Sequence, residues 1–74
     1  MDPHPDLRYR RTDTMLECRL RGARIAYASA MTDGRWELRC NDDDYPSWHD
    51  DYDAALREMV TWARRYAWAH TERR

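Results

Sequence analysis

Polar and apolar residues alternate in three successive runs of this chain, and a fourth, longer run has helical spacing. In the first and third runs the apolar side consists of Leu16, Cys18 and Leu20, and of Trp36, Leu38 and Cys40. A period of two is typical of a strand with one buried face. The pattern therefore predicts three strands, over about 14–21, 23–31 and 35–40.

Two turns that contain glycine separate these runs, at Arg21-Gly22 and Asp33-Gly34. Asp-Gly is a strong signal for a two-residue hairpin loop, and Arg-Gly is a weaker one. Such loops would pair Cys18 with Ile25 and Tyr27 with Cys40, which keeps the apolar residues of all three strands on one side. In this register the central strand turns its other residues, Ala26, Ala28 and Ala30, to the opposite side.

The fourth run extends from about residue 51 to residue 70. At 100° per residue its apolar side chains fall within an arc of about 140°, which is typical of an amphipathic helix packed on a core. The members of this arc are Tyr52, Ala55, Leu56, Met59, Trp62, Ala63, Tyr66, Ala67 and His70.

We therefore expect an α+β fold: a three-stranded antiparallel meander with one C-terminal helix on one face, a βββα unit. Residues 1–13 are expected to be a flexible lead, and 14–74 a single domain, as the length of 74 residues suggests. Cys18 and Cys40 would point inward on the outer two strands, about 10 Å apart, which is too far for a disulfide. They are interpreted as buried free thiols.

All thirteen basic residues are Arg, which is typical of a GC-rich genome, and the net charge is -1. That charge argues against a protein that coats nucleic acid non-specifically. No apolar run is long enough to cross a membrane, and the first residues lack the apolar part of a secretory signal. The cytoplasm is the expected location.

The most acidic stretch is NDDDYPSWHDDYD, residues 41–53. Asp50, Asp51 and Asp53 suit the first turn of the helix, where carboxylates cap free N–H groups and meet the positive end of the helix dipole. The stretch lacks the alternation and the glycine of a calcium loop, and no second His lies at ligand spacing, so no metal or cofactor is expected. The first half of the stretch, residues 42–45, has no such role at the start of the helix. The candidate partner-binding residues are those of this first half together with two tryptophans: Asp42, Asp43, Asp44, Tyr45, Trp48 and Trp68.

The sheet face that the helix leaves uncovered is a second candidate. It is expected to carry a set of arginines around a floor of alanines, and could approach the phosphates of DNA. These are Arg19, Arg21, Arg24, Arg35 and Arg39. In topology, and in the stretches DGRW and DAAL, the chain resembles the integrase arm-binding and AP2-type DNA-binding modules, which use this open face. The same stretches resemble the N-terminal part of HicB-type antitoxins. A solvated face whose Glu and Arg side chains pair across strands is the alternative.

Trp68 lies on the polar side of the predicted helix. It is expected either to pack under the N-terminal segment, near Leu7 and Tyr9, or to contact a partner or a second copy of the chain. The outer two strands of the meander are both edges that could pair between chains in a homodimer.

No catalytic constellation is recognisable. The three histidines are scattered, Ser29 has no His–Asp partner, and both glycines are placed in turns. The expected function is that of a small non-enzymatic regulator or inhibitor of the type encoded by phages or mobile elements, binding a host protein or complex as an anti-CRISPR-like inhibitor would. A DNA-binding module is the alternative.

Overall fold

Five antiparallel strands and one helix make up the computed structural model, which describes residues 4–71. The elements are β1 (Leu7–Arg11), β2 (Met15–Leu20), β3 (Ala23–Ala30), β4 (Trp36–Cys40), β5 (Ser47–His49) and α1 (Tyr52–Thr71). The strands lie in the sheet in their order along the chain. The α+β class and the C-terminal helix are confirmed, but the prediction of three strands is wrong because β1 and β5 were missed.

The two additional strands lie at the edges of the sheet. β1 pairs with β2, so the expectation of a flexible lead over 1–13 does not hold for residues 7–11; residues 1–3 lie outside the described part. β5 is only three residues long and pairs with β4. The edges available to a second chain are therefore those of β1 and β5, not those of β2 and β4 as expected.

A β-bulge at Ile25 changes the predicted register of the first hairpin. Leu20 pairs with Ala23 as expected, but Cys18 pairs with Ala26 instead of Ile25. The extra residue in β3 reverses the two faces of that strand beyond the bulge. Ala26 and Ala28 are consequently buried under the helix, while Tyr27 lies on the open face, contrary to the prediction.

The loop between β3 and β4 is also longer than predicted. Ala30, rather than Met31, pairs with Trp36, so residues 31–35 form the connection. The N–H of Met31 donates to the carbonyl of Arg35, and that of Gly34 donates to Met31. Gly34 has a φ of +91°, which only glycine adopts without strain.

α1 packs closely on the sheet because small residues meet at the contact. Every fourth residue of the helix is fully buried, and the strand below it also presents alanines. The buried set in the helix is Ala55, Met59, Ala63 and Ala67, and that in β3 is Ile25, Ala26 and Ala28. His70, expected on this stripe, is exposed and stacks on Tyr66 at 4.0 Å.

The start of α1 is capped as the sequence predicts. The Asp51 carboxylate accepts a hydrogen bond of 2.9 Å from the N–H of Ala54. In the first turn, the Tyr52 ring contacts Trp36 edge-on at 5.4 Å, and the Arg11 guanidinium lies over it at 3.7 Å. These contacts hold the first turn of α1 against β1 and β4. Cys18 and Cys40 are both free thiols, as predicted, with Cys18 buried and Cys40 partly buried.

Candidate nucleic-acid interface on the open sheet face

The face of the sheet opposite α1, here called the open face, is organised in rows of side chains that run across the strands. One row contains Arg8, Arg19 and Arg24, from β1, β2 and β3. The next contains Arg10, Glu17, Tyr27 and Arg39, from β1 to β4. The third contains Met15, Ser29, Glu37 and Trp48, from β2 to β5.

Two glutamates lie within this arginine-rich face and are held by their neighbours. The Nε of Arg19 donates to Glu17 at 2.8 Å, and an Nη of Arg39 donates to Glu37 at 3.0 Å. The hydrogen bond from Arg19 keeps the pKa of the Glu17 carboxyl below its usual value, so this group is ionised at neutral pH. Both pairs hold a guanidinium in position on this face.

The charges of the open face are layered. The side chains of Glu17 and Glu37 are only 13% and 17% exposed, whereas those of Arg19, Arg24 and Arg39 are 45–50% exposed. A ligand that approaches this face therefore meets guanidinium groups before carboxylates.

Arg35 extends the same surface from the loop before β4. Its guanidinium lies 4.9 Å from the centre of the Trp48 ring and donates to Asp33 at 2.9 Å. Arg21, also predicted for this site, is instead at the β2–β3 turn, where it donates to Asp6 at 3.0 Å. The structure thus brings together four of the five predicted arginines and places Arg21 at one end of the sheet.

Arg8, Arg10 and Tyr27 lie on the open face but were not among the predicted site residues. Arg8 and Arg10 were missed because β1 was taken for a loose segment, although Leu7 and Tyr9 alternate with them in a strand pattern. Tyr27 was assigned to the core because the bulge at Ile25 has no signal in the alternation. With them, the open face and the loop before β4 hold six arginines against three carboxylates: Arg8, Arg10, Arg19, Arg24, Arg35 and Arg39 against Glu17, Glu37 and Asp33.

The depressions on this face are shallow. One, of about 180 Å³, lies between β1 and β2 and is lined by Arg10, Glu17 and Arg19; another, of about 190 Å³, lies beside Tyr27 and Arg39. Pockets that enclose a small molecule are typically about 300–1,000 Å³. The surface is better suited to an extended ligand than to an enclosed one.

The acidic residues Asp42, Asp43 and Asp44 lie in the loop between β4 and β5 and are exposed, as is Tyr45 at 84%. Asp42 has a φ of +70°, and the N–H of Asp43 donates to the carbonyl of Cys40, which closes a tight turn. Trp48, expected to join this cluster, lies instead in a row of the open face.

Trp68 is half-buried against the N-terminal segment. Its ring lies 4.5 Å from that of His4, which is itself buried and accepts a hydrogen bond from the N–H of Asp6 at Nδ1. Of the two expectations for Trp68, packing under the N-terminal segment agrees with this contact.

Within residues 4–71, no three or more His, Cys, Asp or Glu side chains are grouped so as to hold a metal ion. No helix in that range is long and apolar enough to span a membrane. Comparison with family models, with curated proteins and with solved structures finds no match to this chain.

Proposed function

We propose that this protein is a small, non-enzymatic regulatory module that binds nucleic acid on the open face of its sheet in the cytoplasm. The observation that carries the proposal is the layering of charge, with half-exposed guanidiniums above two nearly covered carboxylates. Arginine donates in a planar fork that matches the geometry of phosphate, and phosphate contacts provide most of the affinity of such modules.

The net charge of -1 is compatible with this function because most of the acids belong to elements other than those that form the open face. Seven of the fourteen acids lie in 42–58, in the β4–β5 loop and in or just before α1, and α1 covers the opposite face of the sheet. Exposed charges more than about 10 Å apart are largely screened from each other at about 0.1 M salt. The local excess of arginine, not the net charge, then determines what the open face attracts.

The proposal is tested by titrating a labelled oligonucleotide of mixed sequence and measuring fluorescence anisotropy at about 50 and about 200 mM salt. In the double variant R24A/R39A we expect weaker binding. The slope of the logarithm of the binding constant against the logarithm of the salt concentration should become less steep by about 1 for each arginine that contacts a phosphate. Both side chains are half-exposed, so their removal should leave the fold intact.

A matched control is R57A/R65A, which removes the same charge from exposed positions of α1. We expect this variant to bind nearly as well as the unmodified protein. Binding too weak to measure at about 50 mM salt, or equal losses in the two double variants, would contradict the proposal.

We propose as a second candidate a protein-docking function for the β4–β5 loop, in which Asp42, Asp43, Asp44 and Tyr45 bind a basic surface of a host protein. The observation that favours it is the exposure of Tyr45, at 84%, beside three carboxylates in a tight turn. Exposed tyrosines are common anchors of protein interfaces. In this function the protein would be an inhibitor of the kind that phages and mobile elements encode.

The triple variant D42N/D43N/D44N tests the second candidate. We expect the unmodified chain and R24A/R39A to capture the same host proteins from a lysate, and the triple variant to fail to capture them. A capture profile that the triple variant leaves unchanged would eliminate the docking function of this loop.

A further inference from the structure

We infer that the ligand of the open face is a single strand of nucleic acid, with bases stacked at Tyr27 and Trp48. This inference rests on the nucleic-acid function proposed above and specifies which form is bound. It is carried by the two aromatic rings that the sheet presents on this face, each with an arginine laid over it.

Neither ring has a role in the core. Tyr27 and Trp48 lie on the face opposite α1, in β3 and β5. Tyr27 pairs with Glu17 and Arg39, and Trp48 pairs with Glu37. Trp48 is 46% exposed, which is unusual for the largest apolar side chain. Burial under the helix therefore does not explain why these positions are aromatic.

Each ring has a guanidinium over its face. The Arg24 carbon Cζ lies 4.6 Å from the centre of the Tyr27 ring, and that of Arg35 lies 4.9 Å from the centre of the Trp48 ring. A guanidinium and a nucleobase are both planar and both stack on aromatic faces. A base can take the place of the guanidinium over the ring, while the displaced arginine, half-exposed, turns to the neighbouring phosphate.

A duplex would make no use of these rings, because its base faces are stacked inside and only base edges and phosphates are accessible. A single strand exposes base faces, and stacking one base on an aromatic side chain raises affinity by about 5- to 150-fold.

The spacing of the rings also favours a single strand. Tyr27 and Trp48 are separated by two strand spacings and by one step of two residues along the strands. Strands lie about 4.8 Å apart and rise about 3.4 Å per residue, so the Cα atoms of the two residues are about 12 Å apart. Adjacent bases of a helical strand are stacked about 3.4 Å apart, so two bases bound at these rings are not stacked on each other.

The test is a comparison of labelled oligothymidine and oligouridine of about 16 nucleotides with a duplex of mixed sequence and the same length. We expect both single strands to bind more tightly than the duplex. Trp48→Ala and Tyr27→Ala should each weaken single-strand binding by about 5-fold or more, and Trp48→Phe and Tyr27→Phe, which keep a ring, should restore most of it.

A direct readout comes from tryptophan fluorescence. A base stacked on Trp48 should quench part of the emission, and this quenching should be absent in Trp48→Phe, although that variant still binds. Since Trp48 lies exposed in an edge strand, its replacement should not prevent folding, which thermal melting of each variant will verify.

The results distinguish this inference from the proposed function. If the duplex binds at least as tightly as the single strands and the ring variants bind normally, while R24A/R39A loses affinity, the single-strand inference is wrong and the nucleic-acid function stands. If none of the oligonucleotides binds at about 50 mM salt, both are wrong.

Discussion

Tyr9 and Cys18 face each other across β1 and β2 on the side of the sheet that α1 covers. Burial raises the pKa of Tyr9 to about 12, with a smaller contribution from the nearby Cys18, and burial raises the pKa of the Cys18 thiol to about 11. The thiol of Cys40 is affected in the same way, with a pKa of about 12 from burial and from the neighbouring Asp43 and Glu58. All three groups are therefore neutral at physiological pH.

We expect the free energy of unfolding to be independent of these groups below about pH 8 and to fall as pH rises above 9. The folded pKa values exceed the ordinary values of 9.0 for the thiols and 10.0 for the phenol, so the unfolded chain loses these protons first. Deprotonation then favours unfolding until pH passes the folded values. Urea unfolding at pH 8, 10 and 11 measures the change.

Cys18→Ala should make this decline smaller, because it removes the most deeply buried of the three titrating groups. Stability measured at pH 8 for the same variant gives the packing contribution of the thiol separately. A decline as steep as that of the unmodified chain would mean that Cys18 does not contribute to it.

At the scale of the elements, α1 and the sheet approach each other through alanines. Ala63 is 0% exposed in the middle of the helix, and Ala28, also 0% exposed, lies in the central strand. Larger side chains at such a contact would push the two layers apart, since protein interiors have few voids to accept them. The short side chains thus set the distance between helix and sheet.

Ala63→Leu should destabilise the protein by about 1–3 kcal/mol because it overpacks this contact. For a domain of this size, that corresponds to a fall in Tm of about 4–8 °C for each kcal/mol. Ala69→Leu is the matched control, with the same change at an exposed position of the same helix. Thermal melts followed by circular dichroism measure both, and equal Tm values for the two variants would contradict the close contact.

The elements that the sequence predicts well are those whose signals are local. α1 begins and ends within one residue of the prediction, because its apolar spacing and its Asp51 cap are contained in the helix itself. β5 escapes prediction because three residues after Pro46 are too few to show a period. The pairing of a strand this short is determined by β4 beside it, not by its own residues.

The faces of β3 are the part of the candidate site that the sequence predicts incorrectly. Alanine fits either a buried or an exposed position, so Ala26 and Ala28 give no indication of which side they occupy. Packing against the alanines of α1 determines that Ala26 and Ala28 lie on the buried side, and the bulge at Ile25 allows β3 to adopt this register. The arginines of the neighbouring strands were placed correctly because β2 and β4 have large apolar residues on their other side.

At the scale of the whole molecule, positive and negative charge are separated. The open face and the loop before β4 carry six arginines against Glu17, Glu37 and Asp33, while Asp42, Asp43 and Asp44 follow the end of β4. If nucleic acid binds the open face, the triple variant D42N/D43N/D44N should bind it at least as tightly as the unmodified chain at low salt. The difference in affinity between the triple variant and the unmodified chain should be smaller at about 200 mM salt, where exposed charges are more strongly screened.

The bulge at Ile25 also determines which single-codon deletions in β3 would preserve the two faces of the strand. Loss of the Ile25 codon would leave a regular hairpin in which Cys18 still faces Ala26 and every later pair keeps its side, at the expense of one buried side chain. Loss of the Ala28 codon, by contrast, would exchange the inner and outer surfaces of the strand beyond it. An in-frame deletion at the bulge therefore keeps the side chains of the open face on their side of the sheet.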